Sequence, residues 1–143
     1  MKPVYQITWV VSLCLLTLPA NSQDLSVHQW KNRILLVLTE DTLAPDYTQQ
    51  MDSVLSDPEG LEERKLIIYK VIPSGYQKGI TNSKWVHSRE LYKKFHQSGN
   101  TLEVYLIGLD GSVKQRSQTP VPLTQIFSWI DSMPMRMQEL RKS

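Results

Sequence analysis

Two short apolar runs constrain this chain more than anything else in it. Arg33-Ile34-Leu35-Leu36-Val37-Leu38-Thr39 and Lys65-Leu66-Ile67-Ile68-Tyr69-Lys70-Val71 are each of strand length, with polar or charged ends. Neither run alternates apolar with polar, so each suits a strand covered on both faces. Between them, Pro45 to Leu55 places Tyr47, Met51, Val54 and Leu55 within one arc of about 100° at helical pitch. Thr42 is the expected N-cap, Pro45 sits in the first turn, and Ser56-Asp57-Pro58-Glu59-Gly60 ends the helix. Strand, helix and strand in this order imply a right-handed parallel unit.

The rest of the chain extends that unit. Pro73 to Gly79 reads as a loop, and Asn82 or Ser83 caps a second helix running to about His96, with Trp85, Leu91, Tyr92 and Phe95 on one face. Thr101 to Leu109 is a third strand, and Asp110-Gly111 is the strongest hairpin signal present. Val113 to Ser117 returns as a polar, basic strand suited to a sheet edge. Thr119-Pro120-Val121-Pro122 opens a last helix with Leu123, Ile126, Phe127, Ile130 and Met133 inward. Pro134 limits it, and Met135 to Ser143 is a basic tail. The expected class is α/β, with element order β-α-β-α-β-β-α. A four-stranded mixed sheet in the order 2-1-3-4, with helices on both faces, is the order of a minimal thioredoxin-like domain.

Three stretches carry a family resemblance: Trp30-Lys31-Asn32-Arg33, then Leu106-Ile107-Gly108-Leu109-Asp110-Gly111-Ser112-Val113-Lys114, then Ile130-Asp131-Ser132-Met133-Pro134-Met135-Arg136. Across about residues 24–140 the chain resembles the prokaryotic DUDES family, small bacterial domains of unknown function. The resemblance implies a fold similar to thioredoxins and peroxiredoxins without their cysteines. It supplies no catalytic residues and no established activity.

Residues 1–22 read as a cleaved secretory signal. Lys2 makes a minimal basic start, Val4 to Leu18 is mostly apolar, and Pro19-Ala20-Asn21-Ser22 leads to a cut between Ser22 and Gln23. An apolar stretch of that length is too short to span a bilayer, which takes about 20 residues. The expectation is an exported protein, periplasmic or extracellular, with a single domain over residues 23–143 and no transmembrane segment in the mature chain. The chain's one cysteine, Cys14, lies inside the signal. The mature protein then has no thiol, which excludes thiol-disulfide oxidoreductase activity, since the thiolate is the nucleophile.

In a thioredoxin-like domain the reactive segment joins the first strand to the first helix. Here it is Thr39-Glu40-Asp41-Thr42-Leu43-Ala44-Pro45, and the stretch before the third strand, Gly99-Asn100-Thr101, lacks a thioredoxin's proline. Glu40 and Asp41 are the catalytic candidates if an enzyme works here by non-thiol chemistry. Adjacent residues on an extended chain point opposite ways, which opposes a joint role. Helix-dipole complementarity is the plainer use of these acids. The three histidines, His28, His87 and His96, read as surface residues. His87 and His96, nine apart on one helix, cannot share a metal. No metal site and no cofactor are expected.

Charge is segregated along the chain. Residues 23–63 carry two bases against nine acids, a net of −7, whereas residues 64–143 carry thirteen bases against five acids, a net of +8. Lys84, Arg89, Lys93, Lys94, Lys114 and Arg116 are candidates for a basic patch that meets a polyanion; a solvated face is the plainer alternative. No nucleic-acid motif accompanies them. The sequence therefore points first to a binding or accessory module with an envelope protein or polyanion as partner, and second to an enzyme acting at the loop after the first strand.

Overall fold

A computed structural model describes residues 25–142; the expected signal and its cut at Ser22-Gln23 lie outside them. The first apolar run is β1 (Arg33–Thr39), and all seven of its residues are buried. It pairs in parallel with β2 (Leu66–Ile72), from Arg33 opposite Leu66 to Leu38 opposite Val71. On its other side it pairs antiparallel with β4 (Leu102–Ile107), from Ile34 opposite Ile107 to Thr39 opposite Leu102. A strand with neighbours on both sides and helices on both faces has no solvated face, so a polar residue inside it is selected against. Each of its five aliphatic side chains contributes about 1.5–3 kcal/mol of transfer free energy.

With β3 (Gly75–Lys78) and β5 (Val113–Ser117) the sheet has five strands rather than four, in the order β3-β2-β1-β4-β5. The addition is β3 (Gly75–Lys78), read from the sequence as loop, which pairs antiparallel with β2 around the Pro73-Ser74 turn. Tyr76 explains it: its ring is buried against Tyr69, and its backbone bonds both ways with Val86 (3.0 and 2.8 Å). A Cβ on Gly75 would collide with the Val86 carbonyl, so this pairing requires glycine.

That same pairing corrects the second helix. Val86 is held as an isolated bridge, residues 79–89 form no helix, and α3 occupies only Glu90–Phe95. A residue whose backbone N–H and C=O are both spent on Tyr76 cannot also join a helix's bonding. Two more helices were not expected. Asp57 accepts a hydrogen bond from the Gly60 amide (2.9 Å) and, with Pro58 following, starts α2 (Pro58–Glu63) where the sequence suggested only a helix end. The basic tail forms α5 (Pro134–Lys142), anchored by buried Arg136. Two others fall where expected: α1 (Pro45–Leu55) and α4 (Leu123–Asp131). The residue before α1 is Ala44, with no side-chain cap; Thr42 does not fill that role. The β4–β5 turn follows the Asp-Gly signal: Gly111 has φ +80°, and β5 (Val113–Ser117) is an exposed edge.

Two apolar layers sandwich the sheet. One joins Leu35, Val37, Ile68, Val104 and Leu106 to α1, α2 and α4. The other joins Ile34, Leu36, Leu38, Tyr69, Val71, Tyr105 and Ile107 to α3. Among the described residues, no helix is long and apolar enough to cross a membrane.

Candidate functional site

The sequence directs attention to the C-terminal end of β1. There the Thr39 hydroxyl donates to the carbonyl of Asp41 (2.9 Å) or Thr101 (3.0 Å), pinning the loop to the start of β4. Asp41 turns back to accept from the Leu43 amide (2.8 Å). Glu40 points the other way and accepts from the Tyr92 hydroxyl of α3 (3.0 Å). The two carboxylates therefore serve separate neighbours, as their adjacency on extended backbone requires.

Glu40 does lead to residues the sequence reading passed over. His96, just past α3, stacks its ring on Tyr92 (centroids 4.5 Å apart, planes at 16°). Its Nε2 lies 3.9 Å from Glu40, and its Nδ1 lies 2.8 Å from Glu103 on β4. Glu103 is 2% exposed. A carboxylate that deep needs hydrogen bonds on both oxygens. It receives them from His96, the Gln97 amide (3.0 and 3.1 Å) and the Asn100 side chain (3.1 Å). The Tyr105 hydroxyl, 2.8 Å from the Phe95 carbonyl, is also 3.2 Å from Glu103. Burial and the carboxylate of Glu40 push Tyr92 up to about 12. Burial and Glu103 push Tyr105 up as well.

Chemically, this is a buried carboxylate that orients an imidazole. The two ring nitrogens of His96 are thereby divided, Nδ1 to the buried Glu103 and Nε2 toward Glu40. One sequence signal could have found it. In β4, Glu103 shares a face with Tyr105 and Ile107, both in the core, so an acid at that register is an inward charge that demands partners.

A family model matches residues 24–139, under the description domain of unknown function (DUF4174). The chain belongs to the DUF4174 family. No curated protein matches it. The match spans nearly the stretch that the three sequence motifs cover, and it supports the coarse part of that resemblance: a domain without an assigned activity.

In this DUF4174 domain the six basic candidates do not form one patch. Lys84 and Arg89 lie in the segment beside β3 and before α3, and Lys93 and Lys94 lie on α3. Lys94 stands 5.6 Å from the Phe95 ring centre. Arg116 is across the sheet on β5, opposite Tyr105 and hence on the α3 side. It borders a 380 Å³ cleft with Gln97, Glu103 and Tyr105. Lys114 is tied to Asp110 (2.7 Å), an ion pair that, with the Ser112 bonds, holds the Asp110 carboxyl down at about 2.

On the α3 side Glu40, Glu90 and Glu103 accompany these bases. α1 and α2 carry Asp46, Asp52, Glu59, Glu62 and Glu63 and no base, and both pack on the sheet face away from α3. The bases of the second half divide between the two faces: Arg64 and Arg136 meet Asp131 and Glu63 on the α2 and α4 side, whereas Lys93 and Lys94 lie on α3. The histidines stay apart: His28 is buried, its Nε2 2.8 Å from the Tyr69 hydroxyl, and burial lowers its pKa. His87 precedes α3 rather than sharing a helix with His96. Among the described residues no cluster of three or more His, Cys, Asp or Glu side chains is arranged to hold a metal.

Proposed function

We propose that this is an exported, thioredoxin-like domain without thiols that works by binding a polyanion through its α3 side. The observation that carries the reading is a local concentration of bases: Arg89, Lys93 and Lys94 at α3, with Arg116 opposite Tyr105 on the same side of the sheet, while α1 and α2 on the other face carry acids and no base. A local basic face of this kind attracts an anionic surface and speeds encounter. The thioredoxin-like reading rests on the β-α-β order followed by a β-hairpin and helix; β3 and α2 are additions to that plan. Export rests on the apolar leader and its small-residue cut before Gln23.

The test is co-sedimentation of residues 23–143 with vesicles containing anionic phospholipid, alongside binding to a phosphorylated polysaccharide, each over a salt series. Binding should weaken as salt rises. Reversing Lys93 and Lys94 to Glu should reduce it at least tenfold, whereas Lys114→Ala, a charge already neutralised, should change it little. Equal binding to neutral vesicles, or an unaffected K93E/K94E variant, overturns the reading.

A second reading has its own observation: His96 held by Glu103 with Nε2 beside Glu40 is the geometry of a general base. If it catalyses, His96→Gln abolishes turnover of an ester or phosphoester substrate while the fold survives. No turnover of either class by the wild-type protein removes this reading.

A further inference from the structure

The opposite end of β1 carries a different kind of site. Arg33, its first residue, is 1% exposed. Nη1 donates to the Arg64 carbonyl (2.9 Å) and reaches Glu139 (3.3 Å). Nε is buried without a hydrogen-bond partner, the one such side-chain atom among the described residues. Buried guanidinium N–H groups are almost always bonded, and an exception calls for a missing partner.

The surrounding charges do not supply one. Arg64 takes both oxygens of Asp131 (3.0 and 2.8 Å), and Arg136 takes Glu63 and a share of Asp131 (3.2 Å). Glu139 also serves Arg136 (3.5 Å) and Lys65 (3.9 Å). Four cations, Arg33, Arg64, Lys65 and Arg136, thus meet three carboxylates, Glu63, Asp131 and Glu139.

Arg33 borders a cavity of about 250 Å³. It is lined further by Leu109, Met133, Pro134 and Met135, and by Asp110 and Lys114, which hold each other. All three stretches that stood out in the sequence lend residues to it: Arg33 from the first, Leu109 and Lys114 from the second, Met133 and Met135 from the third.

We propose that this cavity binds a small apolar carboxylate. One negative charge balances the cluster. A carboxylate is planar and bidentate, matched to the edge of a guanidinium whose Nη1 is already committed. The apolar body of the ligand rests on Leu109 and the two methionines. Met135 is 39% exposed and unbranched, so it can swing aside to admit a ligand to the sealed Nε. The volume is below the range of drug-sized pockets, which sets the ligand class as short-chain aliphatic or single-ring acids.

The test uses residues 23–143 with ¹³C-labelled methionine methyls, titrated with hexanoate, hexanol and inorganic phosphate. Hexanoate should shift the Met133 and Met135 signals saturably and raise Tm; hexanol and phosphate should bind at least tenfold more weakly. Met135→Glu, at a partly exposed position where the fold is not at risk, places a rival carboxylate on the wall and should abolish the Met133 shift. Arg33→Lys keeps the charge but loses the fork, and should weaken hexanoate at least tenfold if it folds. Hexanol matching hexanoate (a merely apolar hole), phosphate matching hexanoate (a merely anionic spot), or no shift at all each overturns the proposal.

Discussion

Buried charges close both ends of β1, and the two ends are finished differently. At the C-terminal end Glu103 is bonded by an imidazole, a backbone amide and a carboxamide, with a phenol in reach. At the N-terminal end Arg33 is as deeply buried, yet one of its N–H groups has no partner and a cavity stands beside it. The satisfied end is the one the proposed thioredoxin-like plan would give to chemistry; the unsatisfied end is where a buried N–H has no bond. Unmet hydrogen bonds, more than resemblance of layout, mark where something else is expected to bind.

The largest effect should come from Glu103→Leu. It orphans the His96, Gln97 and Asn100 donors together, and should cost about 3–5 kcal/mol of stability by urea unfolding, in the range for breaking a buried charge network. A cost under about 1 kcal/mol contradicts the claim that this network ties the loop to β4. Arg33→Met should cost much less, under about 2 kcal/mol, because it removes a charge that was already short of bonds while Glu139 keeps Arg136 and Lys65. Equal losses at the two ends erase the contrast.

Acid sharpens it further. His28, just before β1, has its pKa lowered by burial, so the unfolded chain binds its proton more readily than the folded one. Its contribution to stability is complete above the unfolded value near 6.5 and is lost as pH falls through the lower folded value. His28→Gln should flatten the urea midpoint between pH 7.5 and 5.5 relative to wild type; an unchanged slope removes His28 from the account. The smallest effect belongs to Asp110. Its carboxyl, held at about 2, contributes stability above its unfolded value of 3.8 that disappears as pH falls through about 2. The Lys114 pair is over a third exposed, so Lys114→Ala should lower stability by under about 1 kcal/mol at neutral pH, and less at high salt.

Much of the frame was legible in the sequence. β1, β2, α1, β4, the Asp-Gly turn, β5 and α4 follow from hydrophobic period and turn chemistry. What was not legible depended on distant partners. Gly75–Lys78 becomes a strand because it pairs with β2 on one side and Tyr76 meets Val86 on the other, and that second contact also keeps Val86 out of α3. Glu40 was found, but His96 and Glu103 were missed, because His96 looks like a helix-surface residue until a strand brings a buried carboxylate to it. Arg33 was noticed only as part of a motif. Nothing local distinguishes an arginine that snorkels to water from one that β1 buries whole.

The most direct test measures ligand stabilisation at each end separately. Urea unfolding is followed with and without saturating hexanoate for wild type, Arg33→Met and Asn100→Ala, the last trimming the Glu103 network without emptying it. Binding to the folded state alone raises its stability by mass action. Wild type and Asn100→Ala should gain alike, and Arg33→Met should gain nothing. A gain that survives in Arg33→Met, or that vanishes in Asn100→Ala, contradicts the assignment of the vacant bond at the start of β1 to a carboxylate ligand.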